Sequence, residues 1–90
     1  MLIGWDCTLI DGDGHDILNK DQIKINESRP ISVGNHVWIA AKVSVLKGSS
    51  IPDNAVIGYG SVVTRKFENE NVIISGYAAK ENKRDISWQH

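Results

Sequence analysis

The chain is 90 residues long, with 10 Lys+Arg against 11 Asp+Glu, a net charge of −1 and 7% aromatic residues. That length allows one domain with a marginal core, and the charge balance gives no electrostatic basis for a nucleic acid or an anionic membrane as partner. No apolar run approaches the roughly 20 residues of a bilayer span, and the single cysteine, Cys7, excludes an intrachain disulfide framework and fits a reducing cytoplasm.

The opening, Met1-Leu2-Ile3-Gly4, has no basic segment followed by an apolar stretch, so no signal peptide is expected. Ile3 and Leu9 begin a six-residue period that resumes at Val33 and continues through Ile39, Val45, Ile51, Ile57 and Val63. Two residues before the later members stand Ile31, Val37, Val43, Ser49, Ala55 and Ser61, all β-branched or small. One residue after them stand Gly34, Ala40, Leu46, Pro52, Gly58 and Thr64, most of them small or turn-favouring.

A period of six suits neither a helix of 3.6 residues per turn nor a long alternating strand. It suits a short strand followed by a tight corner, three of which close a triangular coil of 18 residues. The aliphatic position then points inward and stacks on its equivalent one coil away: Val33 on Ile51, Ile39 on Ile57, Val45 on Val63, with Ile3 below Ile39 and Leu9 below Val45. Gly34 and Gly58 are expected to supply backbone conformations that side chains disfavour. Two ordinary β-hairpins would instead place Asn-Gly or Asp-Gly turns between the strands, whereas Asp53 and Asn54 lead into Ala55. The pattern predicts an all-β parallel β-helix of about three coils but does not set its hand, since right-handed crossovers are the general rule.

Leu9 and Val33 are 24 residues apart, four periods where one would suffice. The 18 extra residues lie within 11–30, DGDGHDILNKDQIKINESRP, and predict a loop leaving one corner without loss of register. A long loop on a rigid repeat scaffold is more often functional than filler. Past Val63 the repeat decays into a charged exit over 64–71, a last strand with turn over 72–76, and a polar tail over 77–90 that has room for one helical turn and carries Trp88. The whole reads as one domain over 1–90.

The stretches PISVGNHVWIAAKVSVLKGSSIPDNAVIGYGSVVTR and NVIISGYAAK resemble the C-terminal half of the hexapeptide-repeat O-acetyltransferases, among them the maltose, galactoside and polysaccharide-modifying enzymes. The loop start DGDGHDI is similar to the histidine-bearing loop of the polysaccharide-modifying branch. The resemblance implies left-handed coiling, acetyl-CoA as co-substrate, a sugar hydroxyl as acceptor, a homotrimer with interfacial sites, and a cytoplasmic location. It covers only part of such an enzyme, so the chain reads as a truncated member of a longer family.

His15 is the candidate general base, because imidazole titrates near neutrality and can take the hydroxyl proton and return it to the leaving thiolate. In the resembled family the loop histidine does this. Asp13, and less favourably Asp11, could orient the ring, or the DGDG run could be turn chemistry in which the carboxylates cap backbone amides. A calcium loop is disfavoured, since the later Gly and terminal Glu are missing at the required spacing. His36 lies in an outward position near Trp38. The zinc-dependent carbonic anhydrases of the same fold need a closely spaced histidine pair that is missing, so no metal is expected.

Trp38 points outward if Val37 and Ile39 point inward, and an exposed indole calls for a cover. The resemblance implies that it flanks the reactive end of the cofactor; burial against a neighbouring subunit is compatible with that. Trp5 is outward in the same frame. Ala41, Tyr59 and Thr64 match the family's coenzyme A groove, and Arg65, Lys80 and Lys83 match the basic residues that grip its adenosine phosphate; alternatively the three cations are a solvated face. Tyr59 departs from the usual Ala or Gly and could obstruct the groove, and Tyr77-Ala78 replaces Asn-Pro in the final turn. The expected function is acetyl transfer to a sugar hydroxyl in surface polysaccharide synthesis. The alternatives are a non-catalytic assembly module or inactive paralogue, and an N-acetyltransferase of an amino sugar.

Overall fold

The computed structural model describes residues 1–12, 18–24 and 27–89. Short strands run in chain order as β1 (Leu2–Ile3), β2 (Thr8–Leu9), β3 (Ser32–Val33), β4 (Trp38–Ile39), β5 (Ser44–Val45), β6 (Ser50–Ile51), β7 (Val56–Ile57), β8 (Val62–Val63), β9 (Ile73–Gly76) and β10 (Ala79–Lys83). From β1 to β8 every third strand shares a sheet, β1-β4-β7 in the first, β2-β5-β8 in the second and β3-β6 in the third, and β9 and then β10 extend the first. This is the left-handed parallel β-helix of about three coils.

The columns expected from the sequence are the observed registers. Ile3 pairs with Ile39, Leu9 with Val45, Val33 with Ile51, Ile39 with Ile57 and Val45 with Val63. Ile39, Val45, Ile57 and Val63 are fully buried, and so are Val37, Val43 and Ala55 at the position two residues earlier. Each such Ile or Val side chain contributes roughly 1.5–3 kcal/mol when removed from water. The same position holds two buried serines whose hydroxyls are satisfied locally: Ser49 donates to the Val63 carbonyl at 3.1 Å and Ser61 to the Gly58 carbonyl at 2.6 Å.

The corners depart from the expectation for glycine. The left-handed conformation falls at Asp6, His36, Lys42, Gly48, Asn54 and Gly60, three residues after Ile3, Val33, Ile39, Val45, Ile51 and Ile57, with φ between 54° and 75°. Gly34 and Gly58 are not among these residues. They are small because the next coil lies against them: a Cβ on Gly34 would come 2.8 Å from the Asp53 nitrogen, and one on Gly58 2.8 Å from the Ser75 Cβ.

The two ends of the stack differ. At the C-terminal end β9 pairs in parallel with β7, and β10 turns back antiparallel on β9 through a cis Tyr77-Ala78 peptide. Phe67 plugs the third side, 4% exposed, with its N–H on the Ser50 carbonyl at 2.9 Å. At the other end Ile3 and Leu9 keep 44% and 42% of their surface exposed, against none for Ile39 and Val45 above them. The helical turn expected in the tail is not formed: residues 79–83 extend as β10, because the β9 edge offers backbone partners that a polar single turn would forgo. Beyond it the Ile86 N–H bonds to the Asn71 carbonyl at 2.8 Å, and the tail returns to the second coil.

The loop between β2 and β3 is rooted by the Arg29 N–H on the Asp11 carbonyl at 2.9 Å. Its outer turn is closed by Asn19, whose carboxamide oxygen accepts from the N–H groups of Asp21 (2.8 Å) and Ile23 (3.1 Å), beside a Leu18–Lys24 bridge. Among the described residues no helix is long and apolar enough to cross a membrane.

Candidate active site

Trp38 follows from strand alternation. β4 buries Ile39 completely and leaves Trp38 facing out, 39% exposed, between Leu2 and Val56 on the first sheet. Its indole meets that of Trp88, with ring centroids 6.1 Å apart and planes tilted by 45°. Trp88 itself stacks on the His36 imidazole at 3.9 Å and 2°.

The corner after β4 holds Ala41, which is buried and whose carbonyl accepts the Gly60 N–H at 3.0 Å. Trp5 occupies the equivalent place one coil below, its carbonyl taking the Lys42 N–H at 2.9 Å, and Tyr59 the equivalent place one coil above. Trp5 and Tyr59 are 69% and 65% exposed, so Ala41 lies between two projecting aromatic residues.

Thr64 stands on the far side of the second sheet, in a column with Ile10 and Leu46. With Gly12, Arg29 and Lys47 these line a cavity of about 220 Å³ at the root of the loop. Asp13 and His15 lie outside the described residues; Asp11 is exposed, with its carbonyl committed to Arg29.

A larger cleft of about 600 Å³ lies between the exit from β8 and the outer strand β10. It joins Arg65, Lys66, Lys83 and Arg84 with Phe67 and Glu81. The Arg65 guanidinium sits 4.2 Å above the Phe67 ring, where its positive charge meets the negative ring face. The Asn69 amide donates to Glu81 at 3.1 Å, and Arg84 pairs with the same carboxylate. The Asn69 bond, then that of Arg84, holds the Glu81 carboxyl below its ordinary value, against an opposing effect of partial burial. The structure therefore brings Arg65 and Lys83 together. Lys80 stays apart, on β10 opposite Ser75.

The loop and Trp38 are on opposite sides of the coil. The loop leaves β2 and re-enters at β3, hence at the corner between the second and third sheets. In a triangular coil that corner faces away from the first sheet, which carries Trp38. Among the described residues no three His, Cys, Asp or Glu side chains converge as a metal-binding group.

Residues 30–65 match the family model described as bacterial transferase hexapeptide (six repeats). The chain superposes on the polySia-specific acetyltransferase NeuO with a TM-score of 0.86 and 36% identity, over 94% of this chain and 36% of that one. Residues 30–65 are thus similar to the hexapeptide repeats of bacterial transferases. This hexapeptide-repeat chain is also similar to a galactoside acetyltransferase solved in complex with coenzyme A, with a TM-score of 0.77 and 32% identity over 92% of this chain and 41% of that one. It is 47% identical over 49 residues to the galactoside O-acetyltransferase of Escherichia coli (strain K12), covering 54% of this chain and 24% of the relative. The chain thus spans about a quarter of that curated relative's length. What sequence reasoning missed in this chain is the Trp88 contact. Its signal was a lone tryptophan in an otherwise polar tail.

Proposed function

We propose that the chain forms one β-helix domain of an acetyl-CoA-dependent O-acetyltransferase that acylates a sugar hydroxyl in the cytoplasm, for surface polysaccharide synthesis, as a homotrimer. The observation that carries this reading is the placement of Trp38 and the loop on opposite sides of one coil stack. A site using both is completed by a neighbouring copy, whose loop reaches the Trp38 face. Coenzyme A bound to the galactoside relative supports the donor.

In this reading the His15 imidazole takes the proton of the sugar hydroxyl as its oxygen attacks the thioester carbonyl carbon, with Asp13 holding the ring. The tetrahedral oxyanion is met by coil backbone amides. It collapses with cleavage of the carbon–sulfur bond, and the imidazolium returns the proton to the departing thiolate. The products are an acetyl ester and free coenzyme A. Trp38 flanks the acetyl group, Ala41, Tyr59 and Thr64 border the pantetheine arm, and Arg65 and Lys83, with Lys80 beyond them, face the phosphates.

Thiol release from acetyl-CoA in the presence of mixed sugars, measured for the wild type and for His15→Ala, tests the reading. Loss of sugar-dependent release in the variant supports it, and equal rates overturn it. Amino-sugar acceptors in the same assay separate N- from O-acetylation. A second reading, a non-catalytic assembly module, is favoured by the exposed Tyr59 ring above Ala41. Titration with coenzyme A decides between the two: no binding by the wild type, with binding by Tyr59→Ala, selects the module.

A further inference from the structure

We infer that Trp88 is a positioning residue for Trp38: the C-terminal tail returns along one corner of the coil stack and sets the Trp38 indole on the face of the first sheet. The consequence for catalysis rests on the function proposed above; the placement of the indole does not.

Two independent contacts set the plane of Trp88. Its face lies on the His36 imidazole, with centroids 3.9 Å apart and planes 2° from parallel. Its indole N–H donates to the His36 carbonyl at 3.0 Å. His36 is in turn held by the Asn54 carboxamide, whose oxygen is 3.0 Å from Nδ1. Both His36 and Asn54 occupy the left-handed corner conformation, with φ of 54° and 59°, so the anchor belongs to the coil itself. The connection spans 52 residues, from the last segment of the chain to the second coil.

Trp88 held in this way makes a tilted aromatic contact with Trp38, 6.1 Å between centroids, an arrangement that the ring quadrupoles favour. Trp38 stands on a strand face between Leu2 and Val56, which bound it along the sheet. A neighbour of fixed orientation narrows its rotamers, and a group beside a reacting thioester must be placed closely: a displacement of about 1 Å can lower the rate by as much as a hundredfold.

A Trp5→Phe background leaves Trp38 and Trp88 as the only indoles. In it, Trp88→Ala and Trp88→Phe are compared by acrylamide quenching and emission of Trp38, and by steady-state kinetics with acetyl-CoA. The expected result is red-shifted, more readily quenched Trp38 emission in Trp88→Ala than in Trp88→Phe. With it comes a fall in kcat of about tenfold or more at nearly constant KM, recovered in part by Trp88→Phe, which keeps a ring on His36. Identical Trp38 emission and quenching in the two variants overturns the inference. So does an active enzyme whose kcat ignores Trp88, or whose loss of kcat vanishes once rates are normalised to the folded fraction measured by circular dichroism. If the wild type transfers no acetyl group to any acceptor, the proposed function fails, and the quenching comparison alone still decides the role of Trp88.

Discussion

Gly4 lies so close to Ala41 that a Cβ on Gly4 would come 2.6 Å from the Ala41 nitrogen and 2.9 Å from its Cα. The obstruction is backbone and cannot rotate aside. Gly4→Ala must part the first coil from the second, at about 1–3 kcal/mol for an overpacked site. Urea unfolding should show the midpoint falling with little change in slope. An unchanged midpoint would mean that the two coils are not packed as described.

The inward columns rank in depth. Ile39 is fully buried, whereas Ile3 in the same column retains 44% exposure. Ile39→Ala should destabilise by about 2–5 kcal/mol, the range for a buried aliphatic truncated in a packed core. Ile3→Ala should destabilise by distinctly less, since solvent already reaches that site. Equal effects in thermal unfolding would contradict the difference in burial.

Arg65 and Lys83 share a cleft and Lys80 does not. If the cleft receives the phosphates of coenzyme A, Arg65→Ala and Lys83→Ala should each weaken binding about tenfold, as expected for loss of a charge-assisted hydrogen bond of roughly 1.5–3 kcal/mol. Lys80→Ala should have a smaller effect. Isothermal titration with coenzyme A measures all three, and the largest loss at Lys80 would place the phosphates elsewhere.

Glu81 ties β10 to the exit loop through Asn69 and Arg84, and its carboxyl is held below the ordinary value of 4.5. A carboxyl with a depressed folded value binds its proton more readily when unfolded. Its contribution is therefore complete above the ordinary value and lost as pH falls through the folded one. The protection factors of the β9 and β10 amides, taken relative to intrinsic exchange at each pH, should fall on acidification below the ordinary value of 4.5. Glu81→Gln should flatten that dependence, and an unaltered profile in the variant would assign it to other groups.

The six-residue period alone yielded the parallel β-helix and its registers, though not its hand, because each inward position is answered by an equivalent position one coil away. Ile39 upon Ile57 and Val45 upon Val63 needed only counting. The same counting located the loop after Leu9 and the outward Trp38, since strand alternation dictates which side chain faces out. It placed the corner conformation two residues too early, at Gly34 rather than His36, because small size answers to close approach as readily as to a left-handed φ.

What only the tertiary structure decided is where non-repeating segments land. The tail carries no period, so nothing in its residues announced that 79–83 would pair with β9 or that Trp88 would cross 52 residues of sequence to lie on His36. The grouping of Arg65 with Lys83 and the separation of Lys80 depend on the same hairpin. A repeat encodes its own contacts locally, one coil at a time, whereas a closing strand and a returning tail take their partners from whatever edge and corner the finished stack presents.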